Sequence, residues 1–139
     1  MPIIYLALNI SYIKIPIRKI LGVFWLIILG VFFDFIALNI GMIQIQNTEA
    51  PKSLPLWLVS IWLLYFNVIP LISFQFRQNY KLLATLGFIF GPLTYKSGEL
   101  FGLFIFKGTL TYIVYALFWS IFSVVSVYLF QRKQNTEVL

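Results

Sequence analysis

The chain has 139 residues, 61% of them hydrophobic and 10% charged, with a formal net charge of +6. A soluble domain runs at about 45–50% apolar and about 25% charged residues. Too little polar surface is left here to face water on every side, so the folded chain meets lipid. It has no cysteine and no histidine, which excludes disulfides, thiolate nucleophiles and Cys/His metal sites and removes the commonest general base.

Read in chain order, the first element is a short apolar segment, Pro2–Ile13. At 1.5 Å per residue it reaches roughly 18 Å, short of the roughly 30 Å hydrocarbon layer. It reads as an interfacial helix or the stump of a longer one. The bases Lys14, Arg18 and Lys19 follow it, the reverse of a signal peptide's order. Four apolar stretches then have the length of membrane-crossing helices. They are A, about 20–45; B, about 54–76; C, about 82–106; and D, about 109–130. The connections are short, and Lys107-Gly108 alone joins C to D, so neighbouring spans are predicted antiparallel. The expected fold is all-α: one polytopic helix bundle over residues 1–139, with no internal sequence repeat.

The basic residues stand singly or in pairs between apolar runs, with no stripe to hold nucleic acid. They report topology instead. Lys14, Arg18, Lys19, Arg77, Lys81, Arg132 and Lys133 fall on one side, Lys52 and Lys107 on the other. That bias places the C-terminus in the cytoplasm, and the expected partners are membrane lipid and other membrane proteins.

Polar residues inside apolar spans are expensive and usually face the protein interior. Asp34, Asn67, Lys96 and Glu99 are expected near the midplane of A, B and C, with Lys96 and Glu99 three apart on one helix face and Asp34 able to join them. The reading divides between a structural lock and an ion, proton or headgroup site. In C, Gly87, Gly91, Thr94, Gly98 and Gly102 form a narrow small-residue seam. Lys96 falls opposite it, which predicts that C has protein on both faces and is the central helix. Gly30, Asp34, Ala37 and Gly41 make a similar seam in A. Pro70 and Pro92 each remove a backbone hydrogen bond and mark expected helix breaks. Trp119, mid-span, reads as a packing residue. No catalytic elbow, metal motif or phosphate loop appears, so no catalytic residue and no cofactor is assigned.

The run Pro55-Leu56-Trp57-Leu58, continuing through Ile61-Trp62-Leu63 to Asn67, resembles a segment of a group of small bacterial membrane proteins. The stretch from Gly91-Pro92-Leu93-Thr94-Tyr95 to Gly98 and Gly102 is similar to the glycine-proline-tyrosine signature of the same group, and Asp34 fits its acidic residue in the preceding span. The resemblance is to the domain-of-unknown-function 2878 family, over roughly residues 20–130. This chain has Val68, Phe90 and Leu100 where the pattern carries His, Gly and a nearby Arg. The resemblance implies a bacterial inner-membrane location and no assigned activity. Two functions compete: a non-enzymatic accessory component in lipid or envelope processes, and a small transporter or channel subunit using the polar layer. A membrane enzyme comes third. A dry, fully paired polar cluster favours the first, and an open cavity reaching it favours the second.

Overall fold

The structure, a computed structural model, describes residues 17–46, 54–76 and 79–132. The Pro2–Ile13 segment, Lys14, Lys52, Arg77 and Lys133 lie outside them. The described chain forms α1 (Ile17–Asn39), β1 (Ile43–Ile45), α2 (Leu56–Gln75), α3 (Tyr80–Leu100), β2 (Phe104–Phe106) and α4 (Thr109–Arg132). The all-α class holds. Among the described residues three stretches are long and apolar enough to cross a membrane: Leu21–Asn39, Leu56–Gln75 and Thr109–Gln131. The remaining helix, α3, is as long, but Lys81, Lys96, Glu99 and the hydroxyls of Thr85, Thr94 and Ser97 lower its apolar character. Large apolar side chains cover the outside, Trp25, Phe32, Leu71, Phe74 and Phe90 among them. A surface of that kind suits lipid and not water.

Segments A and C both end earlier than their apolar runs. α1 stops at Asn39 and α3 at Leu100 because each runs into a glycine in the left-handed region, Gly41 at φ 78° and Gly102 at φ 69°. Such a glycine closes a helix by letting the following amides turn back to the last carbonyls. Met42 N donates to Ala37 O and Gly41 N to Leu38 O; Leu103 N donates to Gly98 O and Gly102 N to Glu99 O. The apolar residues beyond are strands. β1 and β2 pair antiparallel, with Ile43 opposite Phe106, Gln44 opposite Ile105 and Ile45 opposite Phe104. Hydrophobicity alone cannot separate a short buried strand from the end of a helix, which is why the sequence reading extended both spans.

These matching bonds reveal an internal repeat. Helix, left-handed glycine, three-residue strand and helix occur twice, α1-β1-α2 and α3-β2-α4. Moving by 61 residues, the separation of Asp34 and Tyr95, turns each closing bond of α1 into one of α3. The ribbon obeys the same rule. Lys107 N donates to Met42 O at 2.9 Å, and Gln46 N to Leu103 O at 3.3 Å, so each repeat gives and receives the same bond. The ribbon and the helix ends beside it are thus related by an approximate two-fold axis through the Gln44/Ile105 pair, while the helices themselves pack differently, α3 on α4 more closely than α1 on α2. The sequence carries no convincing repeat, because this one lies in backbone geometry more than in side-chain identity.

The helices run antiparallel within each hairpin. The ribbon lies at one end of the bundle. At the other end, Tyr80 Oη donates to Gln131 Oε1 and Gln131 Nε2 to Ser73 O. The central helix is α4, which contacts α1, α2 and α3, whereas α3 packs chiefly on α4. This overturns the expectation that C is central: the Lys96 face of α3 looks outward. Gly87 and Gly91 seat α3 on α4, where an added Cβ would overlap Trp119, and Gly98 sits on the ring of Phe104. Gly102 belongs to the turn and not to the helical seam, and Thr94 is exposed with its hydroxyl on Phe90 O. Pro70 and Pro92 lie inside uninterrupted helices. Neither is a break, because a single missing amide bond is tolerated when neighbouring turns hold the helix.

Candidate functional site

Asp34 is 0% exposed and lies where the four helices meet. Its Oδ2 accepts the indole N–H of Trp62 at 2.7 Å. Its Oδ1 accepts the hydroxyl of Tyr115 at 2.9 Å. The Tyr95 hydroxyl lies between the two oxygens, 2.9 Å from Oδ1 and 2.8 Å from Oδ2. Each helix therefore supplies one member. Three donors converge on a group that, when ionised, only accepts. Burying a carboxylate costs several kcal/mol, and hydrogen bonds to a charged group return roughly 1.5–3 kcal/mol each. The network offsets the cost with oriented dipoles, for Asp34 has no cationic partner among the described residues.

Local sequence explains the convergence. In α3, Gly87, Gly91 and Tyr95 follow at intervals of four and lie on one face, the face turned to α4. Gly30, one turn before Asp34, makes room for the six-membered ring of Trp62, whose N–H then reaches the carboxylate. The repeat places the four groups in two equivalent pairs. Asp34 and Tyr95 each stand five residues before the end of their helices, and Trp62 and Tyr115 are each the seventh residue of theirs. At 1.5 Å per residue all four sit about 8–9 Å below the helix ends that carry the ribbon.

Aromatic rings enclose the network. On the ribbon side, Phe106 lies 5.6 Å from the Tyr95 ring and 4.9 Å from the Tyr115 ring, and Phe104 lies 5.8 Å from Tyr95. Below, Trp62 stacks on Trp119 at 4.9 Å. Trp119 is a buried packing residue, and its indole nitrogen has no hydrogen-bond partner.

The other polar residues named from sequence do not join Asp34. Lys96 pairs with Glu99 on the outer face of the last turns of α3, and Glu99 Oε2 also accepts Tyr112 Oη at 2.7 Å. The Lys96 ammonium stands 5.7 Å from the centre of the Tyr112 ring. The lysine is 47% exposed and the glutamate 19%. Because α3 ends at Leu100, this pair lies at the ribbon end and not at mid-depth. Asn67 is the one of the four near the middle of its helix. Its amide donates to Leu63 O at 2.7 Å in its own helix, while its buried Oδ1 is unpaired. The expected single layer of Asp34, Asn67, Lys96 and Glu99 is thus corrected to three separate environments. Trp62, Tyr95 and Tyr115 were missed as partners because long aromatic side chains in an apolar run read as packing. Among the described residues no three His, Cys, Asp or Glu side chains gather as a metal site.

The residues that carry the resemblance noted from sequence, Trp62, Gly91, Tyr95 and Asp34, are the ones that build this site. No curated protein and no solved structure matches the chain. The family model described as "Protein of unknown function (DUF2878)" matches residues 1–125, nearly the whole chain, and the protein belongs to that family.

Proposed function

We propose that the protein is a non-enzymatic accessory component of lipid or envelope processes, held in the bacterial inner membrane, with Asp34 as the junction that fixes its helices. The supporting observation is that Asp34 is wholly buried and that its hydrogen bonds go to protein donors on three other helices. A catalytic base must reach its substrate. A closed carboxylate bonded on all sides instead suits a part that specifies how helices pack. The exposed apolar face of α3 and its rim of Lys96, Glu99 and Tyr112 leave surface for lipid or a membrane partner.

A second reading, a small transporter or channel subunit, is favoured by the repeat. Many transporters consist of two like halves with a charged site where they meet, and Asp34 occupies such a place. Reconstitution into vesicles of phosphatidylethanolamine and phosphatidylglycerol separates the two. The accessory reading expects proton and cation flux no greater than in empty vesicles, with lipid or a membrane enzyme recovered on photocrosslinking from α3. Flux that disappears in Asp34→Asn overturns it.

A further inference from the structure

We infer that β2 is a flap over the Asp34 site, which opens the buried carboxylate to water and small cationic solutes from the ribbon end. The flap is the five residues Leu103–Lys107. It is bounded by Gly102 at φ 69° and Gly108 at φ 81°, both in the left-handed region. The turn at Gly108 has free space around it: an added Cβ there would meet nothing within 4 Å. In a segment held between two such glycines the rotation is taken up at residues without a side-chain barrier, at the expense of the Leu103 N bond to Gly98 O and the Thr111 Oγ1 bond to Lys107 O.

The flap carries the cover. Phe104 and Phe106 point inward and are 2% and 5% exposed, while Ile105 between them faces outward. Their rings are the ones that lie against Tyr95 and Tyr115. Lifting β2 withdraws both at once. The buried rings of Phe104 and Phe106 are the main fastening, and the backbone part of it is short. β2 is held to β1 by a three-residue ladder and the flanking bonds from Lys107 N to Met42 O and from Gln46 N to Leu103 O. A two-stranded ribbon of this length is marginal by itself.

What gains from opening is the carboxylate. It is balanced only by dipoles, so a cation arriving from the ribbon side meets an unneutralised charge in a low-dielectric surrounding, where attraction is strong. The inference does not depend on whether the chain moves solute across the bilayer. A flap that opens on a closed bundle floor would still expose Asp34, and a vesicle flux result leaves the experiment below unaffected.

The chain lacks cysteine, so one engineered pair reports cleanly. Gln44→Cys with Ile105→Cys places two thiols directly opposite each other on the outward face of the ribbon. A short bifunctional methanethiosulfonate closes the pair where a direct disulfide does not form. The full-length protein is treated with a water-soluble carbodiimide and glycine ethyl ester, and modification of Asp34 is read by peptide mass spectrometry. Glu137, remote in sequence from the flap, serves as the internal standard. Asp34 labelling is expected in the reduced protein, to fall about tenfold or more on closure as local opening is blocked, and to return with reductant. In the otherwise unaltered chain, Phe106→Ala is expected to raise labelling by removing half of the cover. Equal labelling in the closed and reduced states, no labelling in either, or no rise in Phe106→Ala each overturns the flap.

Discussion

Asp34 and Tyr95 are the same position of two equivalent hairpins, and they are hydrogen-bonded to each other. One repeat supplies the acceptor and the other a donor at matching places, flanked by the second matched pair, Trp62 and Tyr115. Exchange of the two residues therefore tests the relation directly. Asp34→Tyr alone takes the shared carboxylate from three donors and adds a bulky ring, and Tyr95→Asp alone sets two buried carboxylates together. Each is expected to lose several kcal/mol and most of the folded yield in detergent. The double exchange rebuilds the network in mirrored form and is expected to recover much of that loss. Losses that simply add would show that the two positions are not equivalent.

The two stacked tryptophans differ in one respect. The Trp62 N–H bonds Asp34, whereas the Trp119 N–H only approaches the Tyr95 hydroxyl and makes no hydrogen bond of good geometry. Trp62→Phe is expected to cost roughly 1.5–3 kcal/mol for the lost bond to a charged group, in addition to its packing loss. Trp119→Phe deletes an N–H that is already unpaired, so it is expected to lower the thermal midpoint less. Equal losses would mean that the carboxylate gains little from its indole donor.

Among the glycines of α3, the neighbour decides the outcome. A side chain at Gly87 would meet the backbone carbonyl of Trp119, which cannot yield, while one at Gly98 would meet the ring of Phe104. Overfilling a packed contact commonly costs about 1–3 kcal/mol. Gly87→Leu is expected to cut folded yield the most and Gly98→Leu less, with the ribbon displaced, while Val124→Leu on the partly exposed side of α4 has little effect. Yields in the order Gly98, Gly87 would move the tight contact to the ribbon.

Lys96 and Glu99 face outward at the end of α3, where solvent and headgroups screen the pair. Lys96→Met is expected to leave folded yield unchanged, and the Lys96→Met/Glu99→Gln double to resemble it. A severe loss in the single that the double restores would place the pair in a dry site after all.

Orientation is checked with a reporter after Leu139. Lys81 and Arg132 lie at the end away from the ribbon, and Lys107 at the ribbon end. The basic bias predicts a cytoplasmic position for the former. A fluorescent protein fused there should fold and a periplasmic phosphatase should stay inactive. Phosphatase activity would reverse the whole assignment.

Much of the helical framework was legible because apolar length is a strong signal. Asp34 was legible as well, since an acidic residue in an apolar run demands partners. The partners themselves were hidden by chemistry. Charge drew attention to Lys96 and Glu99, whereas Tyr95, one position away, carries the hydroxyl that reaches inward. A step of one residue turns a helix by about 100°, which separates a buried group from an exposed one. The repeat was visible in sequence as Gly30 against Gly91 and Gly41 against Gly102, beside two ordinary apolar matches, Leu21 with Leu82 and Ile28 with Ile89. Its clearest mark, the paired glycine-closed helix ends, exists in backbone hydrogen bonds.

The equivalence of the hairpins has a consequence for how a lone charge came to be held at their meeting point. Each hairpin starts and finishes at the same end of the bundle, so joining two in tandem leaves both in their original orientation. Two separate identical hairpins would have to present either two aspartates or two tyrosines across the axis. The first would crowd two negative charges into apolar surroundings, and the second would leave no carboxylate at the centre. Two hairpins of different sequence escape that choice, and here one continuous chain supplies both, so a single carboxylate is shared by all four helices.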